Sequence, residues 1–349
     1  MIRVAQWATG NVGRHALRMI LERHDLELAA VYVTSAAKAG QDAGDLCGRE
    51  AAGVRAVTTL DEVLAAQPDV VVHAPLPSLV HGSDPDRDLR DIERLLRAGV
   101  DVITTVGYMY PQVYGPAVMD RLEAACTAGG ATFHGTGANP GWFGDVLPLL
   151  MSGLSVRVDA VRVREISNFQ HYPSPEIMFD MMGFGTMPEV FEARAGRHRA
   201  WLDGLFTEAV TMVAEGLGAS VDTVERTLDT VVAAEDLDTA AGRVPRGGVA
   251  GQRWQWTALV EGRAFVTQET VWRMHESVAP EWPVGDWSLA LDGEPRMRVS
   301  FPHGWNRDLL ASTAAHAVNA VPDVVGAAPG VATFLTLPMV LGRRTAMLR

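Results

Sequence analysis

The sequence predicts an α/β chain: an N-terminal parallel-sheet domain, then a C-terminal mixed α+β domain with an antiparallel sheet. Three observations predict it. Strand-like and helix-like patterns alternate as far as residue 140, longer strand-like stretches with glycine turns follow, and 349 residues suit two domains of about 150 residues each. Residues 2–7 form an apolar run of strand type, and residues 11–23 carry Val12, Ala16, Leu17, Ile20 and Leu21 at helical spacing. Strands are expected at 28–33 and 54–57, with a short helix at 60–66. The unbroken apolar run at 69–74 has the character of a central parallel strand covered on both faces. A helix at 88–98 places Leu89, Ile92, Leu95 and Leu96 on one stripe; a strand at 100–106, a helix at 117–128 and a strand at 131–135 complete the series. Such alternation builds βαβ units with right-handed crossovers.

Beyond residue 140, helices are expected at 145–151, 175–182 and 201–217, and strands at 160–169, 223–232, 253–260, 264–274, 287–291 and 297–301. Hairpin turns fall at Glu261-Gly262 and Asp292-Gly293, and a last helix at 309–320. The division is therefore a parallel-sheet domain over 1–140, a mixed α+β domain over 141–308 and a C-terminal helix and tail over 309–349.

Lys and Arg number 30 against 42 Asp and Glu, a net charge of −12 that removes any general attraction to nucleic acid or to anionic membranes. Cys47 and Cys126 read as reduced thiols, and the N-terminus lacks the apolar core of a signal peptide, so a cytoplasmic protein is expected. The apolar stretch 324–342 is interrupted by Pro329, Pro338 and glycines, which disqualifies it as a membrane helix of about 20 residues.

The first strand runs into Trp7-Ala8-Thr9-Gly10-Asn11-Val12-Gly13 and a helix begins there. This is the Rossmann turn A-x-G-x-x-G: Gly10 admits a pyrophosphate, Gly13 lets the helix pack closely, and the helix start supplies N–H donors. Thr9, Gly10, Asn11, Val12 and Gly13 are thus cofactor candidates. An NAD-specific site places an acid after the second strand. This chain reads Thr34-Ser35-Ala36-Ala37-Lys38 instead, where hydroxyls and a lysine would hold a 2′-phosphate. NADP is therefore favoured, with NAD possible; Asp42 and Asp45 are alternative ribose ligands. Ligands in such sheets lie beyond the carboxyl ends of the strands, which adds Ala74, Pro75 and Thr105. The glycine-dense turn from Gly135 to Trp142, with Asn139 capping a helix start, belongs beside the nicotinamide.

The sequence holds no G-x-S-x-G elbow, Walker A or H-E-x-x-H motif, and its His and Cys show no ligand spacing, so no metal site is expected. Hydride transfer remains, and it requires an acceptor to be polarised and one proton managed. Tyr108, Glu165 and Asn139 form the candidate catalytic set. Trp142, Asn168, His171, Tyr172, Met178 and Met182 are candidate substrate contacts, each also readable as ordinary packing or surface.

Four segments carry a resemblance: WATGNVG after the first strand, HGTGANPGW after the sixth, YPSPEIMFDMMGFG over 172–185, and VNAVPDVVGAAPGVATFLTLP near the end. Together they resemble the dihydrodipicolinate-reductase-like family, in the branch of 2,4-diaminopentanoate dehydrogenase and the native amine dehydrogenases. The resemblance implies a second domain used for substrate and homodimer contacts, with the last helix packing back on the first domain. It also implies reversible NAD(P)-dependent deamination of a small amine. Amine-active members carry a glutamate just after the fifth strand, whereas this chain has Val106-Gly107-Tyr108-Met109-Tyr110. That departure moves weight toward ketone or aldehyde reduction or another C=N substrate, so the expected function is an NAD(P)H-dependent oxidoreductase acting on a small apolar carbonyl or amine/imine, with a carbonyl reductase that uses no ammonia and a non-catalytic NADP(H) sensor as the alternatives.

Overall fold

The protein's structure, a computed structural model, describes residues 1–302, 304–305 and 308–342. The chain forms two compact units. One comprises residues 1–78, 83–142 and the C-terminal stretch; the other comprises 79–82 and 143–305.

In chain order the first half gives β1 (Ile2–Trp7), α1 (Asn11–Glu22), β2 (Leu26–Tyr32), α2 (Ala43–Cys47), β3 (Ala56–Val57) and α3 (Leu60–Ala65). It continues with β4 (Val70–His73), α4 (Arg87–Arg97), β5 (Asp101–Thr104), α5 (Pro116–Gly129) and β6 (Thr132–Gly135). Then come α6 (Val146–Ser152), β7 (Arg157–Asn168), a π-helical turn at Glu176–Met181, α7 (Pro188–Gly216), β8 (Thr223–Val232) and a small hairpin of β9 (Leu237–Thr239) and β10 (Gly242–Val244). The rest is β11 (Val249–Val260), β12 (Arg263–Arg273), β13 (Trp287–Glu294), β14 (Met297–Phe301), α8 (Leu309–Val325) and β15 (Gly330–Ala332).

The first unit is built on a seven-stranded parallel sheet in the order β15-β6-β5-β4-β1-β2-β3. Val70, Val71 and Val72 are fully buried, as a strand covered on both faces requires. On one face, Ala16 and Ile20 of α1 pack with Ala314, Ala317, Val318 and Val321 of α8 against Val4, Val72 and Ile103. On the other, Leu89, Ile92, Leu95 and Leu96 of α4 meet Leu122, Ala125 and Cys126 of α5. The Thr59 hydroxyl and the Glu62 carboxylate close a reciprocal capping box that starts α3.

The second unit is built on a six-stranded sheet, β14-β13-β7-β12-β11-β8, antiparallel except where β12 runs parallel to β7. α7 lies on one face, where Phe206 stacks on Trp256 at 4.1 Å and Trp256 lies parallel to Trp254 at 5.5 Å. On the opposite face Glu269 is paired with Arg164 and Arg253. No helix among the described residues is long and apolar enough to cross a membrane.

Three local expectations change. The helix expected at 201–217 begins at Pro188; its first turns are charged and show no apolar stripe, but Pro at N1 and Glu189 in the first turn suit a helix start. Asp292-Gly293 is not a turn: β13 runs through it to Glu294 with a register shift, and a side chain at Gly293 would sit 2.0 Å from the Arg157 carbonyl. Asn139 caps no helix, because turns continue to Asp145, whose carboxylate accepts the Val146 N–H. β9, β10 and β15 are three residues each, too short to show alternation in the sequence.

Candidate active site

β1 delivers the chain to a turn whose backbone is over-determined. Ala8, at the first glycine position of the motif, takes a left-handed φ of +71°, a conformation that costs an alanine about 1 kcal/mol or more. Gln6, fully buried, holds the turn by donating from Nε2 to the carbonyls of Trp7 (3.2 Å) and Ala8 (2.9 Å). A Cβ on Gly13 would lie 2.1 Å from the Ala8 oxygen, so only glycine lets α1 start this close to the strand. A Cβ on Gly10 would meet nothing within 4 Å, so the space in front of the helix start, where Asn11 and Val12 follow, is open. Thr9 is buried, and its carbonyl and hydroxyl accept from Lys38 Nζ at 3.0 and 3.2 Å.

Lys38 reaches Thr9 because the loop after β2 folds back: the Lys38 N–H donates to the Ser35 carbonyl at 3.0 Å. Thr34 and Ser35 are exposed on that loop. Asp42, the alternative ribose ligand, has its carboxylate engaged by three backbone N–H groups, from Gly44, Ala52 and Gly53. Those bonds hold its pKa below the usual carboxylate range. The open space at Gly10, the helix start and the lysine cation together fit a dinucleotide with a phosphate near Lys38.

The ends of β4, β5 and β6 interlock. The Ala74 N–H bonds to the Trp7 carbonyl and the Thr105 N–H to the His73 carbonyl, both at 3.0 Å, with Pro75 following. His73 is fully buried, with Nδ1 2.9 Å from Thr104 Oγ1, and burial takes its pKa down to about 4. Tyr108 has a φ of +63°, and its ring is edge-on to Tyr114 and Phe133. A side chain on Gly135 would sit 2.2 Å from the Tyr108 carbonyl, so the turns after β5 and β6 touch backbone to backbone. The Gly135–Trp142 turn that carries Asn139 is also tied to α8: Thr136 Oγ1 is 2.8 Å from His316 Nδ1, and His316 hydrogen-bonds backbone at Gly137. Nothing in the sequence links residues 136 and 316, and only the fold shows the contact.

In the second unit, Glu165 is buried, and its Oε1 accepts from Trp272 Nε1 (2.7 Å) and Ser167 Oγ (3.0 Å). Asn168 ends β7 and accepts the Gln170 N–H at 3.0 Å. His171 is exposed, and Tyr172 packs edge-on to Phe169. Met178 and Met182 are buried, while the neighbouring Met181 lines a cavity together with His198, which the sequence reading did not single out. Cys47 and Cys126 are free and buried, and burial pushes the Cys126 thiol up to about 12, so it offers no nucleophile. Among the described residues no three His, Cys, Asp or Glu cluster to hold a metal.

Residues 143–347 match the 2,4-diaminopentanoate dehydrogenase C-terminal domain, and residues 6–82 match the dihydrodipicolinate reductase N-terminus. An amine dehydrogenase of Streptomyces virginiae is 33% identical over 97% of both chains. The chain belongs to the 2,4-diaminopentanoate dehydrogenase family. A 2,4-diaminopentanoate dehydrogenase of Acetoanaerobium sticklandii is 24% identical over 80% of this chain and 78% of its own. The solved amine dehydrogenase of Mycobacterium smegmatis shares the fold, with a TM-score of 0.79 at 24% identity over 98% of this chain and 97% of that one. As a member of the 2,4-diaminopentanoate dehydrogenase family, the chain is an NAD(P)-dependent oxidoreductase.

Proposed function

We propose that the protein is an NADP(H)-dependent amine dehydrogenase. It would convert a small, mostly apolar primary amine and water to the ketone or aldehyde and ammonium, and run the reverse reductive amination. The similarity to an amine dehydrogenase across 97% of the chain carries the reaction class. The Lys38 ammonium within hydrogen-bond reach of Thr9, with no acid at the end of β2, supports the 2′-phosphorylated cofactor. When bound, the cofactor supplies the hydride acceptor for the amine carbon.

The chain's own residues then have separate tasks. Thr9, Gly10, Asn11, Val12 and Gly13 receive the pyrophosphate, and Thr34, Ser35 and Lys38 the 2′-phosphate. Ala74, Pro75, Thr105 and Asn139 position the nicotinamide end. Tyr108 takes the place of the family's glutamate, and Glu165 is the carboxylate available to take a proton from the substrate ammonium. Trp142, Asn168, His171, Tyr172, Met178 and Met182 belong to the substrate side of this reading.

Absorbance at 340 nm tests it. With sec-butylamine, the wild-type protein should reduce NADP+ at least tenfold more efficiently than NAD+. Lys38→Ala should remove most of that preference by raising the KM for NADP+ alone. Equal use of the two cofactors by wild type would contradict the NADP assignment, and no reduction with any small amine would contradict the reaction.

A further inference from the structure

Lys38 is the only lysine among the 30 Lys and Arg residues of the chain. An ammonium has three N–H donors, and Lys38 commits two of them to the carbonyl and hydroxyl of Thr9, at 3.0 and 3.2 Å. One N–H and one positive charge remain for a ligand. A phosphate monoester carries about −1.5 to −2 charges at pH 7 and three strong acceptor oxygens. Lys38 alone therefore leaves a 2′-phosphate short of both charge and donors, and the shortfall calls for a second cation beside the loop after β2.

The two flanks of α1 show where that cation lies. Ala16 and Ile20 pack with Ala314, Ala317 and Val318 of α8. Leu17 packs instead with Val33, at the end of β2, and with Ala43 and Cys47 of α2. Residues three and four apart on a helix share a face, so Arg14 stands on the flank of Leu17 and Arg18. Arg18 confirms the direction of that flank by donating to the Cys47 carbonyl at 2.9 Å. On the α8 side, His15 is 3.6 Å from the Asp308 carboxylate. Arg14 thus occupies the first turn of α1, on the side of the loop that carries Thr34, Ser35 and Lys38, and its own N–H closes on the Gly10 carbonyl at 2.9 Å.

The Arg14 side chain is exposed and makes no hydrogen bond or ion pair among the described residues. Its neighbours on this side are committed. Arg18 holds the Cys47 carbonyl, and Arg55 donates to the Gly40 carbonyl at 2.9 Å and lies by the Asp42 carboxylate, whose pKa it helps to lower.

We propose that Arg14 is the second cation of the 2′-phosphate subsite and a specificity-determining residue for NADP(H). Its guanidinium offers a planar fork to two phosphate oxygens, where Lys38 offers a single donor. The assignment rests on the NADP(H) reading and is independent of the substrate.

Isothermal titration calorimetry of the full-length protein with 2′,5′-ADP and 5′-AMP, which differ only in the 2′-phosphate, tests it without turnover. Wild type should bind 2′,5′-ADP at least tenfold tighter than 5′-AMP. Arg14→Gln should cut that preference about fivefold, the scale of one charge-assisted hydrogen bond. Arg14→Lys, which keeps the charge and loses the fork, should restore about half of the loss, and Arg55→Gln should leave the preference within about twofold of wild type. A preference present in wild type and unchanged in Arg14→Gln would overturn the assignment while the NADP(H) reading stands. Equal losses in Arg14→Gln and Arg55→Gln would also overturn it, because they mark a general effect of surface charge. A wild type with no preference would overturn both.

Discussion

Gly13 and Gly135 do at single positions what no side chain permits. A Cβ on Gly13 would fall 2.1 Å from the Ala8 carbonyl, and one on Gly135 would fall 2.2 Å from that of Tyr108. Gly13 was readable, because it sits inside a motif whose spacing is fixed by the strand–helix turn, whereas the approach of Gly135 to Tyr108 joins the ends of two strands and depends on the fold. Gln6 and Lys38 were partly readable: the lysine stood out beside a missing acid, but the Gln6 side chain tying two carbonyls depends on a backbone path that only the fold displays. The three backbone donors that occupy the Asp42 carboxylate are likewise visible only in the fold. Under the proposed function, Tyr108 stands where the resemblance leads one to expect a glutamate, so it is the residue to test. A phenol suits proton donation to a developing oxyanion better than proton removal from an ammonium. Tyr108→Phe should cut turnover at least tenfold while leaving the KM for NADPH within twofold, measured by steady-state rates. Undiminished turnover would reduce Tyr108 to a packing residue against Tyr114 and Phe133.

The element that contributes most beyond the sequence reading is α8. Its helical pattern is legible from Leu309 onward, and its alanine-rich stripe packs beside α1 over the parallel sheet. What no periodicity reveals is that His316 projects from it to the turn after β6, accepting or donating at Thr136 Oγ1 and bonding at Gly137. That contact fixes the backbone next to Asn139, so α8 acts as a brace for the turn that the proposed function puts beside the nicotinamide. His316→Ala should raise the KM for NADPH about fivefold and lower kcat, while His316→Asn, which can still bond to Thr136, should recover most of the loss. Identical behaviour of the two variants would mean that bulk and not the hydrogen bond matters. α7 shows the opposite limit of legibility. Its apolar second half, Trp201 onward, was readable, but its charged first half, which carries His198, has no stripe to read.

At the scale of the whole molecule, the two-unit division, the parallel sheet and the mixed sheet follow from strand–helix rhythm, which is local information repeated many times. The strand order and the buried histidines are not, because they depend on contacts between distant residues. Those histidines have a collective consequence. His73 and His134 are fully buried and His198 is 7% exposed, and each has its pKa taken from 6.5 down to about 4 by burial. Between those values the unfolded chain binds protons that the folded chain refuses. Stability is therefore intact above pH 6.5 and falls as pH drops toward 4, by up to about 1.4 kcal/mol per pH unit for each histidine. Asp101, raised to about 6 by burial, and Asp91, also raised by burial, work in the opposite direction over an overlapping range, but they are two groups against four histidines, because His316 is likewise taken down to about 4 by burial. Urea unfolding should accordingly show a midpoint that falls steadily from pH 7 to pH 4.5, and a flat or rising midpoint would contradict the buried, neutral state of these rings. The central claim, reductive amination by this chain, is tested most directly by the fate of nitrogen. Incubated with NADPH, 2-butanone and ¹⁵N-ammonium, the wild-type protein should yield ¹⁵N-labelled sec-butylamine by mass spectrometry. Consumption of NADPH to give 2-butanol with no labelled amine would contradict the account and identify a carbonyl reductase.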